Sequence, residues 1–248
     1  MALLSNINEC RKTGRKLFSL LIDPDKYQDA ALMNAIDAAN DSDVDFFLIG
    51  GSLTAGAIDD TITFIKKHSS LPVILYPGNL LQLSTRADGI LLLSLLSGRN
   101  SDLLIGNHVI AAPLLKKSRM EIIPTGYILV GSGTPTSVEY MSHTMPIPAH
   151  KPDIIAATAM AGEMLGFKLI YLEAGSGASQ AIQSTAISHV RKNIDIPLIV
   201  GGGINTPEQV MNAFSAGADI VVVGTAIEKN ITLLKDISAV TKRFFPSN

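Results

Sequence analysis

Three glycine-bearing segments in the second half of the chain carry residue types that hold a phosphate. They are Tyr171-Leu-Glu-Ala-Gly-Ser-Gly177, Gly201-Gly-Gly-Ile204 and Gly224-Thr225. Each follows a short apolar run of the kind that forms a buried strand. Glycine lets the backbone approach a ligand closely and adopt φ > 0. Successive N–H groups then converge on one point and, with the start of the helix expected after Gly224, make an anion site. Any one of these glycines also reads as a tight turn. Three clusters at consecutive strand ends point to phosphate.

A second set lies in the first half. One apolar run ends in Asp23-Pro-Asp-Lys26 and the next in Gly50-Gly-Ser52. A carboxylate at one strand end and a hydroxyl at the next can share one Mg²⁺, which takes few protein ligands and fills its shell with water and substrate phosphates. That predicts a second anionic group, a diphosphate, across the mouth from the glycines. Asp23 also reads as a helix N-cap before Pro24, and Ser52 as a capping hydroxyl. Asp25 reads as a first-turn carboxylate favoured by the helix dipole, and Lys26 as a solvated partner of Asp29. Glu173 ends a strand between an apolar run and a glycine loop. Partly desolvated there, its carboxylate has a raised pKa and can take a proton from a substrate hydroxyl; the alternative is a carboxylate bonded to the barrel wall. Tyr171, two residues earlier on the same face of its strand, either orients a substrate or fills the barrel.

Other chemistries lack their signatures. The five histidines are scattered, with no His-Glu-x-x-His pair. Gly131-Ser-Gly133 is not a nucleophile elbow, and Gly201-Gly-Gly203 is not a dinucleotide fingerprint. The single cysteine, Cys10, excludes an internal disulfide and a multi-cysteine metal site.

These residues need a frame that brings distant strand ends together. Eight strand candidates alternate with helical stretches: Leu17–Ile22, Phe46–Ile49, Val73–Tyr76, Gly89–Leu93, Ile122–Leu129, Leu169–Glu173, Leu198–Val200 and Ile220–Val223. Most are near-continuous apolar runs, as strands buried on both faces should be. The alternation predicts a parallel sheet with helices outside, and 248 residues suit one eight-stranded (βα)8 TIM barrel as a single domain over 1–248. In the helices, Ala31, Ile36 and Ala39 are expected to face inward, as are Ile58, Ile62 and Ile65. Thr206 and Pro207 open a helix that Gly217 ends. Leu3, Leu4, Ile7 and Cys10 share one face of a first helix. Two long connections, Ser97 to Ser118 and Gly131 to Pro152, follow strands and should cover the catalytic mouth. Apolar residues make up 47% and charged ones 17%, which excludes a disordered chain. The net charge of −2 carries no basic stripe for nucleic acid. No apolar run approaches the roughly 20 residues that span a bilayer, and no signal peptide is visible, so a cytoplasmic protein is expected.

The order of these motifs resembles the geranylgeranylglyceryl phosphate synthases and their bacterial prenylglyceryl phosphate synthase relatives. The resemblance runs through Leu21-Ile-Asp-Pro-Asp-Lys26, Leu48-Ile-Gly-Gly-Ser52, Tyr76-Pro-Gly-Asn79, Ser97-Gly-Arg-Asn100, Pro124-Thr-Gly-Tyr127, Thr136-Ser-Val-Glu-Tyr140, Tyr171-Leu-Glu173 and Val200-Gly-Gly-Gly-Ile204. It implies an enzyme that joins the C3 hydroxyl of sn-glycerol 1-phosphate to a prenyl diphosphate, releasing diphosphate. It implies Mg²⁺ on Asp23 and Ser52, and Glu173 assisting deprotonation. The glycerol phosphate would contact Tyr171, Leu172, Glu173, Ala174, Gly175, Ser176, Gly177, Gly202, Gly203, Gly224 and Thr225. Tyr76, Pro77 and Leu95 would wall an apolar groove for the prenyl tail. Some branches, notably the heptaprenyl enzymes, carry Lys two residues before the metal-binding Asp; Leu21 here points to the other branch and a geranylgeranyl donor. A homo-oligomer and transient contact with a membrane surface are also expected. The competing readings are a heptaprenyl enzyme with a longer donor, a phosphosugar isomerase or lyase on the same barrel, and a non-catalytic phosphate binder.

Overall fold

The computed structural model describes residues 2–27, 29–54, 58–131 and 133–246. The Asp29 side chain and Ser132, both invoked above, lie outside the described residues. Helix α1 (Leu3–Thr13) leads into β1 (Leu17–Ile22), α2 (Asp29–Asn40), β2 (Phe46–Ile49), α3 (Ile58–His68) and β3 (Val73–Leu75). Strand β4 (Gly89–Leu95), α4 (Asn107–Lys117), β5 (Glu121–Leu129), α5 (Ser137–Ser142), α6 (Pro152–Met164) and β6 (Leu169–Glu173) follow. The chain ends with α7 (Ser184–Arg191), β7 (Leu198–Gly201), α8 (Pro207–Ala216), β8 (Ile220–Val223), α9 (Thr225–Lys229) and α10 (Leu233–Lys242).

The eight strands pair in parallel and in chain order, and β8 closes onto β1 with Leu17 opposite Ile220. Every strand is apolar on both faces because each face packs on something. Leu48, Tyr171, Ile199 and Val222 fill the barrel interior. Their neighbours Phe47, Ile49, Leu172, Val221 and Val223 pack outward against the helices. This period of two decides which side chains reach the mouth. Helix α1 closes the amino end of the barrel, with Ile7 and Cys10 in the interior cluster and Leu3 and Leu4 against it. The Glu121 carboxylate accepts from the Leu4 N–H (3.0 Å) and also from Leu3 N–H, holding the start of that helix.

Helix α8 starts as its sequence demands. Thr206 Oγ1 accepts from Gln209 N–H (3.3 Å), Gln209 Oε1 accepts from Thr206 N–H (3.1 Å), and Pro207 takes the first helical position. Gly217, at φ 115°, ends it. In α2 the expectation needs one correction. Leu32, Ala35, Ile36 and Ala39 form the buried stripe, and Ala31 is exposed. The step from 31 to 36 does not fit a helical face, whereas 32, 36 and 39 do.

Both long connections lie over the carboxyl mouth. After β4 the chain makes a π-helical turn over Asp102–Gly106 and then α4. After β5 it forms α5 and returns through a bridge between Val130 and Ile147 before α6. Among the described residues no helix is long and apolar enough to cross a membrane.

Candidate functional site

The carboxyl ends of β1, β2, β6, β7 and β8 surround a polar cavity of ≈ 210 Å³. Asp23, Ser52, Tyr171, Glu173, Gly175, Ser176, Gly177, Gly202, Gly203, Gly224 and Thr225 all line it. Leu172 and Ala174 do not. They occupy the alternate positions of β6 and its end, and their side chains pack outward in the helix-facing core. The Ala174 N–H is spent on Gly201 O (3.1 Å). The seven-residue segment named from sequence thus contributes to the cavity mainly at every second residue until the strand ends.

Glycine conformation shapes the wall at Gly202, where φ is +79°. A Cβ there would lie 2.2 Å from Glu173 Oε1 and 2.7 Å from Gly175 N. Only a residue without a side chain allows the loop after β7 to press against the loop after β6. The helix expected after β8 is α9, which has five residues.

Glu173 stands at the centre and is 5% exposed. Burial pushes its carboxyl up to about 7. Hydrogen bonding opposes that rise: Oε1 accepts from Gly175 N–H at 2.7 Å, the Tyr171 hydroxyl points to the same carboxylate, and Oε2 accepts from the Tyr76 hydroxyl at 3.2 Å. Tyr76 also contacts the Tyr127 hydroxyl at 3.2 Å and stacks on the Tyr171 ring with centroids 5.2 Å apart. Tyr127 and Tyr171 sit opposite each other in the β5–β6 register, so the three rings form one layer under the carboxylate. Tyr171 is fully buried and fills the barrel. Its hydroxyl occupies the space left by Gly201, 2.4 Å from where a Cβ would be, and favours the ionised form of Glu173.

At the other side of the cavity, Asp23 does two things. Oδ1 accepts from Asp25 N–H (3.2 Å) and caps the turn over residues 24–26. Oδ2 faces Lys26 Nζ at 3.4 Å. The same ammonium lies 3.5 Å from Glu228 Oε2 on α9. Burial raises the Glu228 carboxyl, with Lys26 opposing. Asp25 is exposed and lines neither cavity described here. Gln82, 1% exposed, pins the loop after β2: its amide nitrogen donates to Gly51 O (2.7 Å) and its Oε1 accepts from Gly78 N–H (2.9 Å). Ser52 is carried on that fixed loop.

A second cavity, of ≈ 330 Å³, adjoins the first. Gly51, Ser52, Tyr76 and Val138 line both. Its walls are mostly apolar, from Leu80, Leu83, Ile90, Leu92, Leu93, Leu95, Leu103, Ala111 and Met141. Tyr76, Pro77 and Leu95, named from sequence, are among its lining residues. His108 is a polar exception; its ring Nε2 meets Ser94 Oγ at 3.0 Å, and burial lowers its pKa.

Sequence reasoning passed over Glu228 and Gln82, and gave Tyr127 no role beyond its place in the motif Pro124-Thr-Gly-Tyr127. Tyr127 had a signal, since it lies two residues from Leu129 on the inward face of a recognised strand. Glu228 had none, because its relation to Lys26 exists only once β8 closes on β1.

Comparison with known proteins agrees with this geometry. The PcrB family model matches residues 9–242. The geranylgeranylglyceryl phosphate synthase of Spirosoma linguale is 52% identical over 239 residues, covering 96% of each chain. That of Thermococcus gammatolerans is 44% identical over 216 residues, covering 86% of this chain and 85% of its own. The crystal structure of (S)-3-O-geranylgeranylglyceryl phosphate synthase from Thermoplasma acidophilum, in complex with sn-glycerol-1-phosphate, superposes with a TM-score of 0.91 at 32% identity, covering 98% of this chain and 99% of that one. On a match of that length and on relatives of that identity, the chain belongs to the PcrB family.

Proposed function

We propose that this enzyme joins the C3 hydroxyl of sn-glycerol 1-phosphate to geranylgeranyl diphosphate and releases diphosphate. The observation that carries this reading is the meeting of two cavities of opposite chemistry beside one buried carboxylate. The glycine loops after β6, β7 and β8 suit a phosphate monoester, and the leucine-lined cavity suits a prenyl tail. The two substrates then meet near Tyr76 and Glu173. A bond forms between the hydroxyl oxygen and the first prenyl carbon, while the bond from that carbon to diphosphate breaks. Diphosphate leaves with the electron pair, and Glu173 takes the hydroxyl proton. A carboxyl at about 7 is substantially ionised at neutral pH yet basic enough for that task.

The family implies Mg²⁺, and the residues fit it. Asp23 Oδ2 already has a cation, the Lys26 ammonium, beside it, and Ser52 supplies a hydroxyl in the same cavity. Among the described residues no three His, Cys, Asp or Glu side chains gather into a cage. Mg²⁺ does not need one, since phosphate oxygens and water complete its shell. When bound, it neutralises charge on the leaving diphosphate.

A phosphosugar isomerase or lyase would use the same glycine loops but leaves the leucine-lined cavity without a task. The test is diphosphate release by the purified protein with Mg²⁺, a prenyl donor series and either glycerol phosphate enantiomer. The expected result is release with the 1-phosphate and the geranylgeranyl donor, lost with chelator and largely lost in Asp23→Asn. A preference for a heptaprenyl donor would move the reading to the longer-chain enzyme. No release with any donor would sink it.

A further inference from the structure

Lys26 is placed between two carboxylates that come from adjacent strand ends. Its Nζ lies 3.4 Å from Asp23 Oδ2 and 3.5 Å from Glu228 Oε2. All three side chains line the polar cavity, together with Ser52. The two acids are mostly buried, at 11% and 14% side-chain exposure, while Lys26 keeps 42%. Two carboxylates facing one partly dry cavity repel each other, and the ammonium between them offsets that repulsion. Asp23 is also the residue assigned to the divalent ion. An ion bound to its oxygen at about 2 Å and an ammonium at 3.4 Å from that oxygen compete for the same negative charge.

We propose that Lys26 holds the cation position beside Asp23 and yields it to a divalent ion by moving wholly onto Glu228. The inference rests on the reading of Asp23 as a metal ligand. The lysine stem has four flexible carbons, and its head is a compact point charge that can exchange partners without leaving the cavity. Glu228 already lies within ion-pair reach, so the exchange requires a small shift of one ammonium and no backbone motion. Each carboxylate keeps a cationic partner in both states. Without the ion, one ammonium serves two carboxylates; with it, Asp23 pairs with the ion and Glu228 with Lys26. Glu228 is thus a positioning residue for the metal site, acting through Lys26.

The geometry sets opposite signs for two substitutions. Lys26→Met removes the competitor, so the ion binds more tightly. Glu228→Gln removes the alternative partner, so Lys26 stays on Asp23 and the ion binds more weakly. A general field effect would give the same two signs, so two controls separate it. Lys229 also lines the cavity and carries the same charge, and no ion pair joins it to Asp23 among the described residues. Lys229→Met should change affinity less than about twofold, the scale of a screened charge without direct contact. In the double variant Lys26→Met/Glu228→Gln, the loss of Glu228 should weaken binding by a clearly smaller factor than it does in the presence of Lys26, because its main effect runs through Lys26.

The experiment is titration of the full chain with Mn²⁺, reading free ion by electron paramagnetic resonance, with circular dichroism to check the fold of each variant. Lys26→Met should tighten Mn²⁺ binding by about threefold to tenfold and Glu228→Gln weaken it by a similar factor, as expected for close charges at a protein surface. Three results would overturn the proposal: no tightening in Lys26→Met, whether or not wild type binds measurably; equal tightening in Lys229→Met; or weakening by Glu228→Gln that persists undiminished without Lys26. Asp23→Asn distinguishes the two levels of the argument. If it leaves Mn²⁺ binding intact, the metal assignment fails and the lysine exchange with it. If it abolishes binding while Lys26→Met has no effect, the metal assignment stands and the exchange alone is wrong.

Discussion

The two cavities of the mouth are built from different materials. The polar one is shaped by glycine loops: Gly175, Gly177, Gly202 and Gly203 all have positive φ, and the walls approach to distances that exclude a Cβ at Gly202. The apolar one is side chain, contributed by β4, the π-helical turn at 102–106, α4 and α5. A cup shaped by glycine loops tolerates little change at its glycines, but its conformation is encoded locally. A groove made of side chains can be reshaped one residue at a time, and its form depends on how distant elements pack.

That contrast explains what could be read in the sequence. The strands were legible because each is an apolar run between turn residues, but some of their ends were not: β3 stops at Leu75 rather than Tyr76, β4 runs on to Leu95, β5 starts at Glu121 and β7 includes Gly201. The glycine-walled side of the polar cavity was legible because glycines cluster at three strand ends. That Asp23, Ser52 and Glu173 line one cavity was legible because strand-end residues of a barrel point into its mouth. Leu172 and Ala174 were over-read, since a contiguous segment ignores the alternation of β6. The layer of Tyr76, Tyr127 and Tyr171 was not assembled from sequence, because its members lie on three strands and meet only through the β5–β6 register and barrel closure. Glu228 was missed for a similar reason: its partner, Lys26, lies on another element.

The largest effect expected in the polar half is at Glu173. Glu173→Gln keeps the shape and removes the base, so turnover should fall by about 10²- to 10⁴-fold. Glycerol phosphate affinity, measured by calorimetry, should change only a few-fold. If affinity collapsed and saturated turnover survived, Glu173 would be a binder rather than a base. Gly202→Ala should be next. The added methyl group meets Glu173 Oε1 and the Gly175 amide, at a φ that costs an L-residue about 1–2 kcal/mol. We expect at least a roughly tenfold loss of glycerol phosphate affinity, with the KM for the prenyl donor unchanged. Equal damage to both substrates would mean that the two cavities are not separable.

The apolar half should respond in the reverse sense. Ala111 is 3% exposed and faces the leucine-lined cavity. Ala111→Leu narrows it, so KM for a twenty-carbon donor should rise about tenfold, the scale of a misfit of a few methylenes in an apolar pocket. A ten-carbon donor should be less affected, and the glycerol phosphate KM should stay constant. A uniform rise for all donors would place the tail elsewhere.

The smallest effect tests the residue that belongs to both halves. Tyr76 lines each cavity and donates toward Glu173 Oε2 at 3.2 Å. That bond favours the ionised carboxylate, and burial opposes it. The base works when deprotonated, so kcat/KM should rise with pH and level off above about 7. Tyr76→Phe removes the donor while keeping the ring on Tyr171. The carboxylate loses one stabilising contact, its pKa rises, and the acidic limb should move to higher pH by about one unit or less. The Gly175 amide still holds Oε1 at 2.7 Å, which is why the shift is bounded. At alkaline pH, where Glu173 is ionised in both proteins, the variant should recover most of the wild-type rate. A residue that served only as packing would lower the plateau and leave the limb in place, so the two halves of the profile distinguish a hydroxyl that tunes the base from a ring that separates two substrates.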